Sequence, residues 1–134
     1  PPLQIAVTGA LHMHAGHGRA ICEAALTLAC RGQADAIVAV TFEGNTARVL
    51  SSLRPPSPIL AVTPSEEAAR RLCVYRSVRP IVTEIASELD TASRQIAEAL
   101  RTAGYVRAGS VIVFVSISED LSRPRSNFLK LHRL

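Results

Sequence analysis

Thr41, Phe42, Glu43, Gly44, Asn45 and Thr46 form the stretch of this chain best equipped for chemistry. It sets hydroxyls, a carboxylate and one glycine where an apolar run, Ala36 to Val40, gives way to a helical pattern over Ala47 to Leu53. Such a loop can hold an anion, because the first N–H groups of a helix lack partners inside it and the helix dipole favours negative charge there. A glycine lets the backbone come close to the ligand. The same residues also suit an ordinary strand-to-helix connection in which Asn45 or Thr46 is the N-cap. A nucleoside triphosphate is not supported, since no Lys-Ser or Lys-Thr pair ends the loop, and neither is a dinucleotide, since the three spaced glycines are missing.

Other residue types with chemical potential are less organised. His12, His14 and His17 could in principle ligate a metal, but no carboxylate or cysteine completes a set, so no metal site is expected and the stretch reads as a mobile lead-in. Cys22, Cys30 and Cys73 fall in predicted helices without CxxC spacing and read as reduced core residues. Arg70, Arg71, Arg76 and Arg79 crowd one region, and Arg123, Arg125, Lys130 and Arg133 another. Such charges most often solvate a surface, although the guanidinium fork suits phosphate oxygens. The net charge of +4 and pI near 9.5 permit an anionic partner without specifying one. With 4% aromatic residues there is little to stack on bases, and no nucleic-acid partner is expected. No carboxylate pair or lysine is placed to hold a metal and a phosphoryl group, so no catalytic residue is assigned.

The elements that must position the loop follow from patterning. A chain of 134 residues with 48% hydrophobic content is long enough for one domain with a real core, built here from Ala, Val, Ile and Leu. Pro1 to Gly18 includes a possible short extended segment, Ile5 to Val7, and Gly18 is the last breaker before an amphipathic helix over Arg19 to Arg31. Ala36 to Val40 is apolar on both faces, as a strand covered by helices on each side should be. Arg54-Pro55-Pro56-Ser57-Pro58 forces a turn, Ile59 to Val62 is a second strand, and Thr63 or Ser65 caps a helix opening with Glu66 and Glu67. Val78 to Val82 is a third strand, at or near an edge because Pro80 lacks an N–H. Ala86 to Ala103 reads as the longest helix and Val111 to Val115 as a fourth strand. The polar loop Ser116 to Asn127 leaves no room for a helix, so Phe128 to Leu131 should return antiparallel at the other edge. This alternation predicts an α/β fold with a largely parallel sheet, whose ligands bind at the carboxyl ends of the strands. An apolar run of about 18 residues would be needed to span a membrane and none is present, so no membrane partner is expected. No signal peptide is visible, a cytoplasmic location is expected, and the start at Pro1-Pro2 suggests a piece of a longer product.

Several linked segments then carry a resemblance. AICEAALTLA, the long stretch AIVAVTFEGNTARVLSSLRPPSPILAVTPSEEAARRLCVYRSVRPI, the closing GSVIVFVS and Ser126-Asn127 follow the order and spacing of the C-terminal domain of pyruvate kinases. The most specific part is Thr41, Gly44, Thr46, Ala47, Arg48, Arg54, Pro55, Pro58, Ile59, Ala61, Val62 and Thr63. The resemblance runs from Arg19 to the C-terminus, dividing the chain into a lead-in over 1–18 and a domain over 19–134.

What the resemblance implies is a three-layer sandwich: a five-stranded mixed sheet in the order 3-2-1-4-5, last strand antiparallel, helices on both faces. It implies that the loop from Thr41 to Thr46 corresponds to the segment that in many members cradles a phosphate of an activating sugar phosphate, and that the loop before Phe128, with Arg123 and Arg125, closes over it. The sequence departs from that pattern at Glu43, where phosphate-binding members usually present a small hydroxyl, and in the closing loop, where glycines are replaced by residues including Arg123 and Arg125. The identity of the ligand therefore stays open. Catalysis in the family, transfer of a phosphoryl group from phosphoenolpyruvate to ADP in glycolysis, belongs to a barrel domain with its Mg and K ions, which this sequence does not cover. The domain resembled here packs on that barrel, helps form the tetramer through its last strand and relays effector binding. The expectation is a non-catalytic regulatory and oligomerisation domain. A self-standing binder or small enzyme for a phosphorylated metabolite is the other reading, and a barrel-encoding segment upstream in the same gene would decide between them.

Overall fold

The computed structural model describes the backbone of residues 2–118 and 127–134, and the side chains of residues 16–118 and 127–134. The elements are α1 (Pro2–Cys30), β1 (Ala36–Val40), α2 (Asn45–Ser52), β2 (Ile59–Thr63), α3 (Glu66–Leu72), β3 (Val78–Val82), α4 (Leu89–Thr102), β4 (Val111–Ser116) and β5 (Phe128–Arg133). The strands lie in the order β3-β2-β1-β4-β5. All neighbours are parallel except β4 and β5, which run antiparallel with Val111 opposite Arg133 and Ser116 opposite Phe128.

Alternate residues of a strand point to opposite faces, so a strand apolar at every position needs cover on both. Ile37 and Ala39 of β1 join Ile59, Ala61, Val113 and Val115 beneath Cys22 and Ala25 of α1, Ala47 and Leu50 of α2 and Leu72 of α3. Val38 and Val40 face the other way, with Leu60, Val62, Ile112 and Phe114 against Ile96, Ala97 and Leu100 of α4. The three layers and the helices on both faces follow from that division.

The two edges differ. Ile59 N–H donates to Ser77 O at 2.7 Å and Thr83 N–H to Thr63 O at 3.0 Å, so the odd-numbered residues of β3 turn their backbones to β2 and Pro80 turns away. Its missing N–H costs no ladder bond, and Val78 N–H, on the same outer side, is already given to Tyr75 O at 3.3 Å. At the opposite edge Leu134 N–H donates to Ser110 O at 2.9 Å, so even-numbered residues of β5 face β4, and the backbones of Leu129, Leu131 and Arg133 point outward. Leu131 is also 49% exposed.

Several sequence expectations need correction. The extended segment at Ile5 to Val7 is helical, and Gly18 lies inside α1 rather than ahead of it. One glycine costs a helix only about 1 kcal/mol, and this one serves close packing: a Cβ there would lie 3.0 Å from Ile117 Cδ1. At 29 residues α1, not α4, is the longest helix. The latter begins at Leu89 instead of Ala86 because Glu88, in extended conformation, is its N-cap and accepts from the N–H groups of Asp90 and Thr91. Ser65, one of the two expected caps, accepts from Ala68 N–H at the start of α3. Only Cys22 is a core residue; Cys30 ends α1 and Cys73 caps α3, both exposed, and all three thiols are free. Burial pushes the Cys22 thiol up to about 12, which leaves it inert. Among the described residues no helix is long and apolar enough to cross a membrane.

Candidate functional site

From β1 the chain moves through α2 and α3 on one face to β3, then crosses by α4 on the other face to β4, which pairs with β1. The order of strands thus reverses between β1 and β4, and at such a switch point the connections leave on opposite faces and open a crevice at the carboxyl ends of the strands. Thr41 stands at the mouth of that crevice. Its N–H extends the ladder to Val62 O at 2.9 Å, and its buried Oγ accepts from Gly44 N–H at 2.7 Å, folding the loop back on itself. Gly44 has φ 101°, and a Cβ there would meet Leu72 Cδ2 at 3.1 Å, so both backbone conformation and space demand glycine. Gly44 is also the N-cap of α2 and offers no side-chain cap, and no side chain among the described residues caps that helix end. Asn45 and Thr46, expected as caps, are instead its first two residues.

Thr46 is 2% exposed, and its Oγ accepts from Ile117 N–H at 3.2 Å, tying α2 to the segment that leaves β4. Ser118 N–H in turn donates to Asn127 Oδ1 at 2.9 Å, bringing the two ends of the β4–β5 connection together. Two guanidiniums flank the loop. Arg48 Nη2 lies 2.5 Å from Asn45 Oδ1; Arg71 Nη2 donates to Glu43 O at 3.4 Å while its Nη1 pairs with Glu67 at 3.0 Å. Phe42 and Glu43 are exposed, and the Glu43 carboxylate has no ion pair among the described residues.

The crevice is a cleft of about 1090 Å³, just above the range of ~300–1,000 Å³ common for small-molecule sites. Its near wall is the 41–46 loop with Arg48 and Arg71; its far wall is the start of α4 with Ile85, Ser87 and Leu89, floored by Phe114 and flanked by Phe128. The start of α4 is already occupied by its own chain. The Thr91 hydroxyl, followed by the Asp90 backbone N–H, holds the Glu88 carboxyl below its usual range, and Lys130 Nζ, 2.6 Å from Asp90 Oδ1, does the same for Asp90.

Comparison with known proteins bears on this arrangement. The family described as pyruvate kinase, alpha/beta domain, matches residues 19–132. This chain belongs to that family. Pyruvate kinase from Clostridium acetobutylicum is 38% identical over 110 residues, covering 82% of this chain and 22% of the relative. Pyruvate kinase from Staphylococcus epidermidis is 38% identical over 98 residues, 72% of this chain and 17% of the relative. The crystal structure of pyruvate kinase from Cryptosporidium parvum superposes with a TM-score of 0.74 at 26% identity over 87% of this chain and 22% of that one. The chain therefore spans about a fifth of the length of the pyruvate kinases it matches.

Within this pyruvate kinase domain, Thr41 to Thr46 all line the cleft. Arg123 and Arg125 lie outside the described residues, as do the side chains of His12 and His14. The cations that line the cleft among the described residues are two that sequence reasoning did not assign to it, Arg48 and Arg71. Arg48 was within reach of the sequence, one helical turn from Asn45. Nothing local signalled Arg71, whose bond to Glu43 joins residues 28 apart.

Proposed function

We propose that this chain is the non-catalytic regulatory and assembly domain of a pyruvate kinase, and that its cleft holds the phosphate of a small effector. One observation carries the reading: α2 starts on a glycine with no side-chain cap, and that helix end opens into a cleft between two arginines. N–H groups that no side chain caps among the described residues, the positive end of the helix dipole and guanidinium forks together suit a phosphate. The set suits an anion better than a metal ion, and the Mg and K of phosphoryl transfer belong with a catalytic barrel domain that this sequence does not cover; finding that barrel encoded upstream in the same gene would support the reading over a stand-alone binder. The purified chain should not convert phosphoenolpyruvate and ADP to pyruvate. Assembly uses the open edge of β5, whose outward backbone groups favour antiparallel pairing with a second copy across a two-fold axis. In this reading the intact enzyme is cytoplasmic.

Titration of the 134-residue chain with phosphate or sulfate, followed by amide NMR, tests the site. Thr41, Gly44 and Thr46 should shift. Shifts elsewhere with these three unmoved would remove the assignment. Glu43→Ser should tighten anion binding by taking away a like charge, and no change would mean that the carboxylate points away from the ligand.

A further inference from the structure

The end of the sheet away from the cleft has a charge pattern of its own. β1 to β4 are parallel, so the connections that enter them, 31–35, 53–58, 73–77 and 103–110, lie at that end, and antiparallel β5 finishes there with Arg133 opposite Val111. Each of these five places carries one exposed arginine. In sheet order they are Arg76, Arg54, Arg31, Arg107 and Arg133. Neighbouring strands are ~4.8 Å apart, so arginines spread through the whole sequence stand along a row of strand ends roughly 19 Å long. Counter-charges are few. Asp35 is the one carboxylate in these connections, and its Oδ2 accepts from Val111 N–H at 2.9 Å. Glu98 of α4 pairs with Arg101. The sequence has no acid before Glu23, and the connection between Ser118 and Asn127 leaves and returns at the opposite end of the sheet. None of the five arginines is in an ion pair among the described residues. Four helices also end here, and their carbonyl ends are worth about half a negative charge each. With Asp35 they offset about three of the five arginines, and a positive strip remains.

The connections are tied to one another rather than loose. Arg133 Nη1 donates to Gly109 O at 3.2 Å, Leu134 N–H to Ser110 O at 2.9 Å, and Ser51 Oγ to Arg76 O at 2.9 Å. Two of them also present apolar surface: Val74 is 81% exposed and Tyr105 44%. We propose that this end of the sheet is a docking surface for an extended, acidic stretch of polypeptide, whose carboxylates meet the arginines and whose apolar side chains cover Val74 and Tyr105. A phosphate polymer would answer the charge but leave that apolar surface in water, which is why a polypeptide is the better fit. Exposed carboxylate–arginine pairs are each worth a factor of about two to five in affinity, so the contact is reversible and weakens with salt. It does not depend on the anion site at the start of α2, which lies at the other end of the strands.

The test is a titration of the whole chain with a glutamate-rich peptide that also carries leucines, followed by amide NMR and fluorescence anisotropy. Amides of 31–35, 73–77 and 103–110 and that of Arg133 should shift, with Gly44 and Thr46 unmoved. Arg31→Gln, Arg107→Gln and Arg133→Gln combined, on the adjacent strands β1, β4 and β5, should weaken binding about tenfold, while lysine at the same three positions should hold it within about threefold. With the parent chain, glutamine in place of the peptide's glutamates should remove binding, a readout that needs no variant to fold. Equal binding of the glutamine peptide, or shifts confined to the 41–46 loop, would overturn the docking surface. Tighter binding of inorganic polyphosphate than of the peptide at the same amides would overturn the choice of a polypeptide. So would sedimentation in which the chain alone associates through these arginines, since the occupant would then be a second copy.

Discussion

Replacing Thr46 by valine changes one atom group at the junction of α2 and β4 and nothing in side-chain shape. The lost hydroxyl is the acceptor for Ile117 N–H at 3.2 Å, in a residue only 2% exposed, so water cannot easily take its place. An N–H left without a partner in such a setting costs roughly 1–3 kcal/mol, and the methyl that replaces the hydroxyl returns about 0.8 kcal/mol through apolar burial. Threonine and valine have similar helix propensity, so α2 itself contributes little to the difference. The net loss should be about 0.2–2 kcal/mol. With a urea m-value of roughly 2 kcal/mol/M, the unfolding midpoint should fall by about 0.1–1 M at unchanged m. Urea denaturation followed by circular dichroism measures this, and hydrogen exchange should show the Ile117 amide losing protection. Thr46→Ser, which keeps the oxygen and removes the methyl, should retain Ile117 protection. A Thr46→Val chain with an unchanged midpoint and a protected Ile117 amide would refute the link between the two connections.

Gly44→Ala should lose about 1–3 kcal/mol in the same denaturation assay, because φ 101° is strained for alanine and Leu72 would have to move; an unchanged midpoint would mean that the loop relaxes freely. Leu129→Pro removes a donor that points away from β4, so the chain should stay folded and associate more weakly in sedimentation; a monomeric parent, or a dimer the change leaves intact, would exclude that edge as the interface. Glu88 and Asp90 have folded-state pKa values below the ordinary carboxylate range, so their stabilisation is complete above that range and is lost as pH falls through the lowered values. Thermal midpoints should therefore drop on the acid side, and Glu88→Gln should flatten that limb; an equal slope in both chains would show that the cap contributes nothing.

Local chemistry in the sequence was enough to place most of the elements. Short uninterrupted apolar runs marked β1, β2 and β4, their apolar character on both faces demanded helices on both, prolines 55, 56 and 58 enforced the turn, and Pro80 marked an edge at β3. The strand order came from family resemblance, since periodicity says where a strand is and not what lies beside it. At Gly18 a local signal worth about 1 kcal/mol met tertiary packing: it reads as a stop, yet it sits inside α1 where Ile117 leaves no room for a Cβ, whereas the start of α4 was set by a local cap, Glu88. The site divided along the same line. Thr41, Gly44 and Thr46 were legible because a strand end, a glycine and a helix start fall together in six residues. That the Thr46 hydroxyl binds a backbone 71 residues away, and that Arg71 is held over the loop by Glu43, was decided only in the folded chain. Side chains reach such partners through the stacking of β1, β2 and β4, and a contact made by strand order leaves no mark in the spacing of the residues that share it.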